Sequence, residues 1–229
     1  MRAHYIRDLL VLDEYELSGD SLHHLMNVVR LEVDEELLLL NGKGLLVETK
    51  VTKISKRELR LKKTRHQFRE LNYHFELALG MPKRDALELC LKEATELGFK
   101  TIYLIKSSRS QMKFPEEERL EKLLISALEQ SNAPFLPEVK FQTWEALPWD
   151  EATMSFLMDS QSNARPSLNS CPMGMCLLIV GPEGGFSPEE ISFFHNKKVL
   201  QVVNLPTPIL RTPTALAVGT GMMIQSLLK

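Results

Sequence analysis

The sequence predicts an α/β protein with a mostly parallel sheet, preceded by a smaller β-rich unit. Three observations carry this reading. After about residue 72, apolar strand-like runs alternate with segments of helical spacing, the order that builds parallel sheets. Before about residue 70, short alternating runs are separated by close turns, as in a small barrel. The length of 229 residues, with 44% hydrophobic and 25% charged residues, suits one or two globular domains with a real core. The expected division is 1–70 and 73–229.

In the first part, Ser21, His23-His24-Leu25 and Val28-Val29 suggest one short helix. Leu37–Leu40 is an apolar run, and Asn41-Gly42-Lys43-Gly44 is a strong turn signal. Val47, Thr49 and Val51 alternate with polar residues, as do Leu59 and Leu61 beyond the turn at Ser55-Lys56-Arg57. In the second part, Tyr73, Phe75, Leu77 and Leu79 mark a strand ending at Gly80. Leu87, Cys90, Leu91, Ala94 and Leu97 follow helical spacing, and Gly98 stands where a helix stops. Ile102–Ile105 reads as a buried strand, and Leu120, Leu123, Leu124, Ala127 and Leu128 as a helix stopped near Pro134. Met154–Met158, Cys176–Val180 and Leu200–Leu205 are three further strands. Ser187, Pro188 and Glu190 form a capping-box start for a helix through His195. The last helix begins near Thr212, with Thr212 as cap and Pro213 at its first position. Residues 160–175 are a polar, Pro- and Gly-containing surface excursion.

Ligands of such sheets sit beyond the carboxyl ends of strands. The loops after Leu157, Val180 and Leu205 meet that description. Val180-Gly181-Pro182-Glu183-Gly184-Gly185-Phe186-Ser187 carries neither a P-loop lysine nor the GxGxxG dinucleotide pattern. Its adjacent glycines suit a ligand held by backbone groups, or simply a tight turn between strand and helix. In Leu205–Ala215 three prolines hold an extended chain, and Arg211 precedes a helix N-terminus, where a cation is electrostatically awkward. That placement suggests an anionic or RNA-facing role; a plain surface arginine is the alternative.

A net charge of −2 excludes a globally basic nucleic-acid binder. The average hides residues 50–69, where nine Lys or Arg residues stand against the single acid Glu58. Such a block can neutralise a phosphate backbone, or line the wet face of a strand pair. Cys90, Cys171 and Cys176 form no CxxC, so they read as reduced thiols of a cytoplasmic protein. No run of 18 apolar residues occurs, so no membrane span is expected. His23 and His24 have no third ligand at metal spacing, and no metal is expected.

Several ordered motifs together resemble the RsmE family of ribosomal RNA methyltransferases, within the SPOUT superfamily. They are VGPEGGFSPEEI (180–191), ILRTPTA (209–215), KEATELGFKTI (92–102), SSRS (107–110), ALEQSNAPFLPEV (127–139) and HHLMNVVRLEVDEELLLLNGKG (23–44). The resemblance spans nearly the whole chain. It implies an N-terminal PUA-like RNA-binding β-barrel over 1–70. It implies a SPOUT methyltransferase domain over 73–229, whose last strands and helix tie a trefoil knot, a topology that spacing alone would never suggest. It further implies S-adenosylmethionine as methyl donor, a homodimer, and methylation of N3 of a uridine in small-subunit ribosomal RNA, naked or in the assembled subunit.

Carried onto this sequence, the donor-binding candidates are Leu157, Gly181, Pro182, Glu183, Gly184, Gly185, Leu205, Pro206, Ile209, Leu210, Thr212, Thr214 and Ala215. Arg211 is the candidate catalytic residue, stabilising the anion that develops as uridine N3 loses its proton. Arg2, Arg7, Arg30, Lys62, Lys63 and Arg109 are the RNA-binding candidates. No residue identifies itself as a general base. The chain departs from the family pattern at Pro206, Pro208 and Pro213, where glycine, arginine and glutamate are usual. Asp34 and Ala133 also replace a usual glycine and arginine. An RNA-binding protein of the same fold without catalysis is the alternative reading.

Overall fold

The computed structural model describes residues 1–27, 29–71, 73–110, 115–162, 174–197 and 200–227. Most of the 160–175 excursion, and Val28, lie outside them. Among these residues no helix is long and apolar enough to cross a membrane.

The first unit comprises Met1–Glu70 and Leu128–Leu136. Its strands are β1 (Arg2–Tyr5), β2 (Glu14–Leu17), β3 (Glu36–Leu40), β4 (Leu45–Ile54) and β5 (Leu59–Phe68), with helix α1 (Gly19–Asn27) between β2 and β3. They form one sheet in the order β1-β3-β4-β5-β2. β1 runs parallel to β3, and the other pairs are antiparallel. The unbroken run Leu37–Leu40 is explained by two covered faces. Leu37 and Leu39 enter a cluster with Leu25, Val47, Val51, Leu59 and Leu61. Leu38 and Leu40 meet Leu46, Leu128 and Ala133 on the other face.

Leu128–Leu136, although far along the chain, packs with the first unit. Its backbone is tied in, with the Gly44 amide donating to the Pro134 carbonyl (2.9 Å) and the Leu136 amide to that of Gly42 (2.9 Å). The Tyr5 amide donates to the Glu129 carboxylate (2.8 Å).

The second unit comprises Leu71–Ala127 and Pro137–Lys229. Its strands are β6 (His74–Gly80), β7 (Thr101–Ile105), β8 (Glu138–Gln142), β9 (Ala152–Met158), β10 (Met175–Val180) and β11 (Leu200–Val203). The order is β11-β9-β10-β6-β7-β8, and every pair is parallel. The helices are α2 (Arg84–Glu96), α3 (Glu117–Ser131), α4 (Pro188–His195) and α5 (Thr212–Leu227). Both faces of the central strands are covered, so β10 is buried throughout, as its Met-Cys-Leu-Leu-Ile-Val run demands.

Local chemistry sets the helix ends. Gly98 has φ +77°, and the Phe99 amide donates to the Ala94 carbonyl (3.0 Å), closing α2 with a left-handed cap. The α4 capping box forms as its sequence requires, between Ser187 and Glu190. α5 differs from expectation. Thr212 is its first residue, and its hydroxyl donates to the Gly181 carbonyl (3.2 Å) rather than capping the helix. Pro213 therefore stands at the second position. β11 ends at Val203, two residues before the expected Leu205.

Candidate active site

β9, β10 and β11 end level with one another, because Met158 is in register with both Val180 and Val203. The loops that follow them line one cleft. The loop after β9 supplies Met158, Asp159, Ser160 and Gln161; the loop after β10 supplies Val180 to Phe186; the segment after β11 supplies Val203, Asn204, Leu205 and Thr207 to Leu210. Ile191, Thr212 and Ala215 complete it. The cleft thus lies at the carboxyl ends of adjacent parallel strands, where the backbone groups of turning loops are free to meet a ligand.

The glycines of the first loop have separate reasons. A Cβ on Gly181 would stand 3.1 Å from the Phe186 ring, so this position allows the ring to close over the main chain. Gly185 has φ +69°, which suits glycine in the turn where its amide meets the Pro182 carbonyl (2.8 Å). Phe186 is anchored by edge-to-face contacts with Trp144 (5.7 Å) and Phe194 (5.2 Å). The second loop is bound to the first through the Thr212 hydroxyl and the Gly181 carbonyl. It is bound to the loop after β9 through the Asn204 amide and the Ser162 carbonyl.

Two carboxylates fix the diglycine turn from outside. Both oxygens of Glu183 accept from the Lys83 backbone N–H (3.0 and 3.2 Å) at the start of α2, which has no side-chain cap of its own. Glu190 is buried and accepts from the Ser107 hydroxyl (2.7 Å), the Ser108 amide (3.0 Å), the Trp144 indole (2.8 Å) and the Ser187 amide (2.8 Å). Burial pushes its pKa up, but the four donors outweigh burial and hold it below the usual carboxylate value.

The predicted residues separate on this geometry. Gly181, Pro182, Glu183, Gly184, Gly185, Leu205, Ile209, Leu210, Thr212 and Ala215 line the cleft. Three do not. Leu157 points into the core with no exposure, because the alternation of β9 turns Met158 to the cleft instead. Pro206 and Thr214 are exposed outside the lining. Glu183 lines the cleft while its carboxylate is committed to Lys83. Arg211 stands at the start of α5 between the lining residues Leu210 and Thr212, exposed and with no ion pair among the described residues. Sequence reasoning located the loop after β9 but missed Asp159, Ser160 and Gln161 within it. It likewise missed Val203, Asn204 and Thr207. For Asp159 and Asn204 the only signal was the step immediately past the last apolar residue of a strand.

Among the described residues the cleft lining contains two acids, Asp159 and Glu183, and no Lys, Arg or His. Such a lining suits a neutral or cationic ligand better than one bearing phosphate. Val180, Leu205, Ile209, Leu210 and Phe186 supply apolar walls for a flat ring.

Of the basic candidates, Arg109 is bonded to a residue of this cleft. Arg2 is engaged by Glu35 (3.1 Å) and by the Arg30 carbonyl (3.4 Å). Arg30 is exposed at φ +55°, and Arg7 is exposed. Lys63 is paired with Asp13 (2.8 Å), and its hydrogen bond and charge hold the Asp13 pKa down. Lys62 is exposed and faces Glu14 and Lys50 on the neighbouring strands. Arg109 in the second unit lies along Gly184 and donates to its carbonyl (2.6 Å).

Comparison with known proteins agrees with this geometry. The model of the RNA methyltransferase domain family matches residues 69–224, and that of the RNA methyltransferase PUA domain matches residues 17–64. Ribosomal RNA small subunit methyltransferase E 2 of Borreliella burgdorferi is 28% identical over 225 residues, covering 90% of this chain and 92% of that protein. Ribosomal RNA small subunit methyltransferase E of Bacillus subtilis is 26% identical, covering 88% of this chain and 86% of that one. The crystal structure of the Neisseria gonorrhoeae methyltransferase E, bound to S-adenosyl methionine, superposes with a TM-score of 0.85. Its identity to this chain is 25%, over 98% of this chain and 97% of that one.

Proposed function

This chain belongs to the RNA methyltransferase domain family, and we propose that it transfers the methyl group of S-adenosylmethionine to N3 of a uridine in small-subunit ribosomal RNA. The observation that carries the reading is the cleft: backbone-lined, apolar-walled, acidic and, among the described residues, without a cation in its lining, at the carboxyl ends of three parallel strands. Bound there, the donor supplies an electrophilic methyl group on a sulfonium centre. Its net positive charge suits Asp159, and its adenine suits the backbone groups of the diglycine and proline-braced loops between Leu205, Ile209 and Leu210.

The chain's own residues then position and exclude. Glu183 and Glu190 hold the diglycine turn rigid before any ligand arrives, so little ordering remains to be done on binding. Arg211, beside the cleft but outside its lining, presents a guanidinium to the uridine rather than to the donor. A cation there stabilises the negative charge that spreads over the uracil as N3 gives up its proton.

The PUA-like barrel, the trefoil knot, the homodimer and a cytoplasmic site of action belong to the same proposal. Supporting the first is the family match over 17–64 together with a sheet covered on two faces. Supporting the second is the return of α5 against β9, β10 and α2 after the tie from Thr212 to Gly181. For the third, α5 carries no charged residue from Thr212 to Leu227, yet Ala217 and Val218 are exposed. Such a face suits a second copy of the chain.

The test is transfer of labelled methyl from S-adenosylmethionine to small ribosomal subunits lacking the modification, with nucleoside mapping. The expected product is 3-methyluridine at one position. Label on another base, or none, overturns the assignment. Arg211→Ala is expected to abolish turnover while calorimetry still detects donor binding; turnover in that variant would remove Arg211 from the mechanism.

A further inference from the structure

The basic block of residues 50–69 is not one surface. Lys50 pairs with Asp34 (2.9 Å), Lys53 with Glu58 (2.6 Å), Arg60 with Glu58 (3.3 Å) and Lys63 with Asp13 (2.8 Å). Lys62 lies opposite Glu14. Glu58 within the block, and acids beside the neighbouring strands, therefore cancel its middle. What remains gathers at the hairpin tip, Lys56-Arg57, and at the far end of β5.

That far end has further unusual features. β2 pairs with β5 only as far as Lys62, so from Thr64 to Phe68 β5 has β4 on one side and no strand on the other among the described residues. Phe68 is 68% exposed, although it ends a strand whose Leu59 and Leu61 are fully buried. His66 meets it edge-to-face, with ring centroids 6.4 Å apart and planes at 89°. In register the two rings oppose Val47 and Leu45, and so share one face of β5. Arg65 precedes them on the opposite face of β5, at its open edge, and Arg69 follows the strand, its amide held by the Gly44 carbonyl (2.8 Å) beside the exposed Lys43. Neither arginine nor Lys43 has an ion-pair partner among the described residues; Glu48, opposite Arg65, is not within bonding reach.

We propose that His66 and Phe68, flanked by Arg65, Arg69 and Lys43, form a stacking platform for an unpaired base of single-stranded RNA. The inference rests on the RNA-methyltransferase reading and names the form of RNA that the first unit grips. A water-exposed aromatic ring is a cost to a free protein and an asset to one that stacks on a nucleobase, whose π face it matches regardless of sequence. The cations alongside meet the phosphates of the same strand. A duplex, whose bases are already stacked on one another, offers the rings nothing, so the platform selects single strands.

Fluorescence anisotropy with the full chain tests this, using a labelled oligouridylate of about twelve nucleotides and an RNA duplex of similar length. Phe68→Ala is expected to weaken single-strand binding about ten-fold while leaving duplex binding unchanged. Phe68→Tyr keeps the π face and is expected to bind as the unaltered protein does; Phe68→Leu keeps bulk alone and is expected to bind as weakly as the alanine variant. Arg65→Ala with Arg69→Ala is expected to flatten the salt dependence, with a slope lower by about 1.4 for two lost phosphate contacts. Full single-strand binding by Phe68→Leu would overturn the proposal, since bulk alone would then suffice without a π face; full binding by Phe68→Ala would overturn it outright. The binding series stands apart from catalysis: absence of methyl transfer by the unaltered protein defeats the proposed function and leaves this comparison readable.

Discussion

Glu190 shows how one side chain can serve two ends. As the third residue of α4 it completes a capping box with Ser187, a role read directly from the sequence. Its other oxygen gathers Ser107, Ser108 and Trp144, partners from two distant loops that no local pattern announces. Glu190→Gln places an amide where those donors converge. Charge-assisted bonds are lost and at least one donor is left unpaired, so the loss of stability at neutral pH should be about 2–3 kcal/mol. Because the folded pKa lies below the ordinary carboxylate value of about 4.3, the stabilisation is complete above that value and fades as pH falls through the depressed one. Urea unfolding at pH 7 and again near pH 3 should therefore show the two proteins converging in acid. An equal gap at both pH values would show that packing, not charge, accounts for the difference. Glu183 acts on the same turn from the other side. Its alanine variant should bind the methyl donor several-fold more weakly by calorimetry, since the turn is no longer held against Lys83. Glu183→Gln, which keeps an acceptor oxygen, should recover part of that loss; no change in affinity with either variant would make Glu183 incidental.

At the scale of the elements, the cleft depends on backbone freedom at defined points. Gly181→Ala drives a methyl toward the Phe186 ring, which Trp144 and Phe194 prevent from retreating. Gly185→Ala instead strains a backbone at φ +69°, at a cost of about 1 kcal/mol. The first should weaken donor binding more than it lowers the melting temperature, and the second should do the reverse; identical profiles for both would deny them separate roles. Elements that were legible in the sequence share a property. β6, β10, α2 and α4 carry either a dense apolar pattern or explicit end signals such as Gly98 and the Ser187–Glu190 box. The strands β1, β2 and β8 were not legible. Arg-Ala-His-Tyr, Glu-Tyr-Glu-Leu and Glu-Val-Lys-Phe-Gln are short edge strands, stabilised by a neighbour rather than by a pattern of their own. In the cleft the glycines and prolines announced the loops, whereas Asp159 and Asn204 did not stand out, because an acid or amide after a strand is usually only a turn residue. The start of α5 differs from its sequence pattern for a related reason. A threonine before a proline resembles a cap, and only the fold reveals that its hydroxyl has a partner 31 residues away at Gly181.

Across the whole molecule, the division into units does not follow the chain. Residues 128–136 lie within what the sequence presents as one methyltransferase domain, yet they complete the first unit. Leu128, Ala133 and Leu136 cover Leu38, Leu40 and Leu46. Pro134, Leu136 and Glu129 satisfy backbone groups of Gly44, Gly42 and Tyr5. A fragment ending at Glu70 would expose those three leucines, each worth about 1.5–3 kcal/mol when buried, on a unit too small to spare them. It would also leave the Tyr5 and Gly44 amides without their partners. We therefore expect residues 1–70 alone to aggregate, or to unfold without a cooperative transition. Residues 1–70 joined through a flexible Gly/Ser linker to 128–136 should give a soluble monomer with a single thermal transition followed by circular dichroism. In the joined fragment, Leu128→Ala should cost about 2–5 kcal/mol and return it toward the behaviour of the short one. A short fragment that melts cooperatively would show that the N-terminal sheet closes its own second face. If it does not, the first unit acquires its core only once the chain has been made as far as Leu136, and residues 1–70 cannot be treated as an independent module.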